Sequence, residues 1–189
     1  MKLIITISIV YIIILIIQGP KYYFFYPTLP LYPNNKREAK VVAEYSNNRP
    51  KYYEKFFYLT DDSVSHAFVN LVDESYEQLE KIILSQNYLV LFFKRLYNRA
   101  RPIQINKNVN LLPSKTANTP AYPAGHAFQA YYLAKVLSKK YKNKEKELWK
   151  IAEDCNKARI YAGLHYESDG DFSRRLVEKY FYTFADLKH

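Results

Sequence analysis

At 189 residues, of which 49% are apolar and 24% charged, the chain can build one substantial core, which excludes a disordered chain and leaves little room for two ordinary domains. Its formal net charge of +10 favours an anionic partner: a phosphorylated small molecule, an anionic lipid surface or nucleic acid. The single Cys155 excludes an internal disulfide, and no CxxC or Cys/His cluster has zinc spacing.

The first feature in chain order is "LIITISIVYIIILII", residues 3–17, an uncharged run ended by Gln18, Gly19 and Pro20. Its length suits a signal-peptide core, whereas a spanning helix wants about 20 apolar residues. Bulky Ile17 stands where a cleavage site wants a small residue, and Pro20 follows Gly19, so the reading leans to an uncleaved anchor over a cleaved signal peptide. Residues 1–19 are therefore expected to export the chain or to tether it to a membrane by a single N-terminal segment. Lys2 and Lys21 flank the run on both sides, so the positive-inside rule fixes no orientation.

Residues 20–35 carry prolines and clustered aromatics, the composition of a connecting strap. From residue 36 to 189 the pattern is helical. Short helices are predicted over 37–45 and 51–58, the second opened by "NRP". Between Asp61 and Pro102 the residues Val64, Phe68, Leu71, Val72, Leu79, Ile82 and Ile83 recur at helical spacing, predicting one long helix or two that stop at the proline. A polar loop follows over 103–122. Helical patterns resume at 125–141, 145–162 and 171–184, and no alternating strand pattern competes. The fold class expected is all-α: a helical bundle with the active site between core helices, preceded by the N-terminal hydrophobic segment. The lysine-rich stretch at 138–150 is interleaved with Glu145 and Glu147 and reads as a solvated helix junction, which argues against nucleic acid as the partner.

Three places break the pattern in a related way. Lys94 and Arg101 are two helical turns apart, so on one helix they would share a face. Arg159 continues the apolar stripe Leu148, Ala152, Cys155, so it should point inward, where a cation needs an anion from the protein or from a ligand. A helix starting near Gly125, just before His126, aims free N–H groups and the positive end of its dipole at whatever precedes it. Finally, His165 and Asp169 are four residues apart, close enough for the carboxylate to bond one ring nitrogen and leave the other nucleophilic.

In order, Lys94-x6-Arg101-Pro102, Pro123-Ala124-Gly125-His126 and Arg159-x5-His165-x3-Asp169 resemble the three-part signature of the type 2 phosphatidic acid phosphatase and vanadium haloperoxidase superfamily. The layout is closest to the class A nonspecific acid phosphatases. The resemblance implies a helical bundle and a phosphatase that needs neither metal nor cofactor. It implies that Lys94, Arg101, Arg159 and the Gly125 N–H hold the substrate phosphate. By the same resemblance His165 attacks phosphorus, Asp169 orients it, and His126 protonates the leaving group. The implied substrate is a phosphate monoester, either a small molecule or a lipid phosphate.

The chain departs from that family in two places. Ala124 stands where serine is common, which removes a hydroxyl donor worth about 1.5–3 kcal/mol, with Thr119 and Tyr122 as nearby replacements; Ala158 replaces a second serine. These departures keep an alternative open, a membrane-anchored phosphate- or anion-binding protein of the same fold with weak or no catalysis. After Ile17 no apolar run reaches spanning length, which sets the chain apart from the multi-span lipid phosphatases. Vanadium haloperoxidases are much longer chains. His66 and His189 fall in no motif and are expected to have no catalytic role.

Overall fold

The computed structural model describes residues 31–180, besides Thr6. The N-terminal segment over 3–17, most of the strap, the predicted end of the last helix and His189 lie outside the described residues. Within them the chain is helical, with no strand.

Helix α1 (Asn35–Asn47) starts where the Asn34 side chain accepts the Arg37 N–H, and α2 (Lys51–Thr60) starts after Pro50, as the sequence suggests. The region between Asp61 and Pro102 is neither one helix nor two. It divides into α3 (Ser65–Phe68), α4 (Tyr76–Leu84) and α5 (Asn87–Tyr97). The break before α4 has a local cause: Ser75 and Gln78 form a reciprocal capping box that starts a new helix. The end of α5 has another cause, since Asn98 adopts the left-handed conformation at φ 44°, one of the few non-glycine types that tolerates it.

Pro102 begins a helix where the sequence reading had it end one: α6 (Pro102–Ile105) has the proline in its first turn. The proline holds the preceding Arg101 extended, at φ −71° and ψ 152°. The segment after α6 is a loop as predicted, yet its Val109, Leu112 and Ala121 are buried.

Helix α7 (Gly125–Lys140) is the central helix. Ala127, Phe128, Ala130, Tyr131, Leu133, Ala134 and Leu137 are all buried along it, so apolar residues circle more than one face, as a helix wrapped by neighbours requires. It packs on α8 (Glu145–Tyr161) and α9 (Glu167–Tyr180), while α8 also meets α2. Helix α9 begins four residues earlier than the sequence suggests, because the Asp169 carboxylate turns back to accept the Tyr166 N–H at 3.0 Å and so starts the helix there. Among the described residues no helix is long and apolar enough to cross a membrane.

Candidate active site

The third sequence motif owes its spacing to a helix end and a helix start placed back to back. At the end of α8 the Leu164 N–H bonds the Arg159 carbonyl at 3.1 Å and the Gly163 N–H bonds the Ile160 carbonyl at 2.9 Å, a Schellman turn with Gly163 at φ 78°. Arg159 therefore lies in the last turn of α8, where the helix dipole favours a cation. Asp169 lies in the first turn of α9, where it favours an anion. His165 falls on the short linker between them. The Ala124 N–H bonds the Asp169 carbonyl at 3.2 Å, which ties the start of α7 to the start of α9.

These elements meet at a cavity of about 230 Å³ whose wall includes Lys94, Arg101, Gly125, His126, Arg159 and His165. Six of the seven candidate residues thus face one space, and the seventh, Asp169, stands behind His165 with no exposure at all. Lys94 and Arg101 arrive differently from the prediction. They do not share a helix face, because α5 ends at Tyr97; Lys94 comes from its last turn and Arg101 from the extended stretch beyond.

The electrostatics of the cavity are uneven. Lys94 is 4% exposed and Arg101 9%, yet both have neutral partners. Lys94 Nζ donates to the Pro120 carbonyl at 2.6 Å, and Arg101 donates to the Thr119 and Leu164 carbonyls at 2.9 Å each. Burial, reinforced by Arg101, pushes the Lys94 ammonium well below its ordinary range, and burial brings Arg101 down to about 10. Arg159 does have a carboxylate, since its Nη1 donates to Asp61 Oδ1 at 2.8 Å and its Nη2 to the Thr60 carbonyl. Asp61, at the C-terminal end of α2, also accepts the Ser114 hydroxyl at 2.6 Å.

The hydrogen bonds fix both histidine rings. His165 Nδ1 lies 3.1 Å from Asp169 Oδ2, which accepts, and its Nε2 lies 2.9 Å from Arg101 Nη1, which donates. The proton therefore sits on Nδ1, and the Nε2 lone pair faces the cationic side of the cavity. His126 Nε2 lies 3.0 Å from the Asp61 carbonyl, an acceptor, so this ring carries its proton on Nε2. Burial, then Arg101 and Lys94, depress His165 well below the usual histidine range. Burial, then Arg159, does the same to His126. Asp169 is raised by burial and opposed by Arg99 and the Tyr166 N–H.

A Cβ at Gly125 would meet Lys94 Cε at 3.5 Å, an ordinary contact. What glycine leaves open there is the cavity between the helix start and the lysine. Ala124 is the N-cap of α7 and supplies no side-chain bond to its first turn, so those N–H groups remain directed at the space in front of the helix. Of the two hydroxyl residues near the missing serine, Thr119 lines the cavity, whereas Tyr122 is buried against Phe172 and Tyr97. His66 is exposed and stacks on Tyr76 away from the cavity wall.

Sequence reasoning missed Asp61, Arg99 and Glu38. Arg99 donates to Asp169 Oδ1 at 2.6 Å and pairs with Glu38. The signal available for it was an arginine two residues before Arg101. Among the described residues no group of three or more His, Cys, Asp or Glu side chains is arranged to hold a metal ion. No family model matches the chain, and no curated protein matches it.

Proposed function

We propose that the chain is a phosphatase that hydrolyses phosphate monoesters through a phosphohistidine formed on His165. The observation that carries this reading is the pair of buried cations, Lys94 and Arg101, whose partners among the described residues are neutral, beside a histidine whose Nε2 lone pair points at them. Buried cations call for an anion, and a phosphoryl group supplies one within reach of a nucleophile. In the first step His165 Nε2 bonds to phosphorus, the ester P–O bond breaks, and the leaving oxygen takes a proton from His126. Arg101 moves its N–H from His165 to a phosphoryl oxygen as the lone pair is used. In the second step water attacks the phosphohistidine while His126 takes back a proton, releasing phosphate and neutral His165. Lys94, Arg101, Arg159 and the first-turn N–H groups of α7 hold the oxygens whose charge grows in the transition state.

Free His126 is depressed and must be protonated to act as the acid. A bound phosphoryl dianion raises it, so protonation and substrate binding support one another and the rate rises toward acidic pH until His165 is protonated. The substrate is a small-molecule or lipid phosphate, met by a chain exported or tethered through residues 3–17. The second reading, an anion-binding protein with little catalysis, is favoured by one observation: Asp61 already neutralises Arg159.

Phosphate release from p-nitrophenyl phosphate, with chelator present and across acidic to neutral pH, separates the two. Turnover that disappears in His165→Ala is expected. A folded protein that binds inorganic phosphate without turnover would leave the binding reading.

A further inference from the structure

Arg99 stands between Lys94 and Arg101 in sequence but is absent from the cavity wall, and it has no exposure. All five of its N–H donors are used. Nε donates to Asn35 Oδ1 at 2.9 Å, and Nη1 to Ser168 Oγ at 2.7 Å and Asp169 Oδ1 at 2.6 Å. Nη2 donates to the Pro33 carbonyl at 3.3 Å and to Glu38 Oε2. The guanidinium also lies 3.9 Å from the Tyr166 ring centroid and 4.6 Å from that of Tyr32. Glu38 is itself held, accepting the Ser168 hydroxyl at 2.7 Å and the Ser168 N–H at 3.3 Å.

This arrangement divides the labour of the Asp169 carboxylate. Oδ1 goes to Arg99, while Oδ2 accepts the Tyr166 N–H and faces His165 Nδ1. We propose that Arg99, clamped by Glu38 and Ser168, is a positioning residue that keeps Asp169 ionised and its Oδ2 turned to His165, so that the His165 lone pair stays on Nε2. The inference rests on the reading of His165 as nucleophile. Without the guanidinium, a wholly buried carboxylate loses its ion pair, and burial then favours the protonated acid. A protonated Asp169 donates to Nδ1, which moves the imidazole proton to Nε2 and removes the nucleophile. Glu38 matters because it shares the charge of Arg99: paired with Asp169 alone, Arg99 would cancel the negative charge that steadies an imidazole losing electrons to phosphorus. The clamp also brings residues 33–38, remote in sequence from all three motifs, to the back of the site.

The test is nitrogen NMR of the full chain labelled at histidine, with kinetics on p-nitrophenyl phosphate and inhibition by inorganic phosphate, for wild type, Arg99→Gln, Arg99→Lys and Glu38→Gln. Wild-type His165 is expected as the Nδ1-protonated tautomer. In Arg99→Gln it shifts toward Nε2-protonated, and kcat falls on the order of 100-fold while KM and phosphate inhibition stay within about threefold. Arg99→Lys recovers part of both signals, since it returns the charge without the fork. Glu38→Gln, which keeps the shape of the clamp but leaves the charge of Arg99 on Asp169 alone, keeps the Nδ1-protonated tautomer while kcat falls by a smaller factor than in Arg99→Gln, and decides the matter if the Arg99 variants do not fold. A wild-type tautomer with wild-type kcat in the folded variants overturns the proposal, as does a loss confined to KM. If wild type releases no phosphate at all, the phosphatase reading fails, while the tautomer comparison still decides what Arg99 does.

Discussion

At the scale of single residues, the two histidines make the site sensitive to acid before any ligand enters. Both are held neutral by burial and neighbouring cations, below their ordinary range. In the unfolded chain they titrate near about 6.5, so between the folded and unfolded values the unfolded state binds more protons. Their contribution to stability is complete above that unfolded value and is lost as pH falls below it. Urea unfolding at about pH 7.5 and about pH 5 should give a lower midpoint at the acidic pH, and inorganic phosphate should reduce the difference by favouring the charged rings. An equal midpoint at both values would mean that neither histidine is held neutral in the fold. The residues found from sequence and those missed differ in kind. Lys94, Arg101, Arg159, His165 and Asp169 were singled out because the order of their motifs along the chain resembles a known signature, although Lys94 and Arg101 do not share the helix face that their spacing suggested. Asp61 was not, since it meets Arg159 across 98 positions; nor was Glu38, which meets Ser168 across 130. A partner at that distance leaves no local pattern.

At the scale of elements, the site depends on how tightly two helix ends are joined. The turn from α8 to α9 has Gly163 at φ 78°, and a Cβ there would come within 2.6 Å of Val109 Cγ1. Gly163→Ala therefore combines a disfavoured backbone with a clash and should cost about 1–3 kcal/mol of stability, read as a shift in the urea midpoint. Because the turn separates Arg159 from His165, its catalytic loss should exceed what the unfolded fraction explains. If the variant has wild-type stability and activity, the turn does not set the site. The helices legible in the sequence were those with one dominant signal, such as Pro50 for α2 and the long apolar pattern of α7. The stretch from Asp61 to Pro102 misled because its apolar spacing continues across breaks made by a capping box at Ser75 and a left-handed Asn98. Periodicity records which residues face inward; it does not record whether one helix carries them.

At the scale of the whole molecule, the helices bring together the buried cations Lys94, Arg99, Arg101 and Arg159, and among the described residues carboxylates answer two of these four. The remaining two face the cavity, and that imbalance is what a phosphoryl group would correct. The all-α character was legible from the absence of alternating patterns, while the meeting of α5, α7, α8 and α9 at one cavity was implied only by the resemblance. The central claim is that His165 becomes covalently phosphorylated, and the most direct measurement is to quench a reaction with radiolabelled substrate in the steady state and map the label. An acid-labile phosphoryl group on the peptide containing His165, absent from His165→Ala, is the expected result. Turnover with no labelled protein, or with label that persists in the variant, would contradict it.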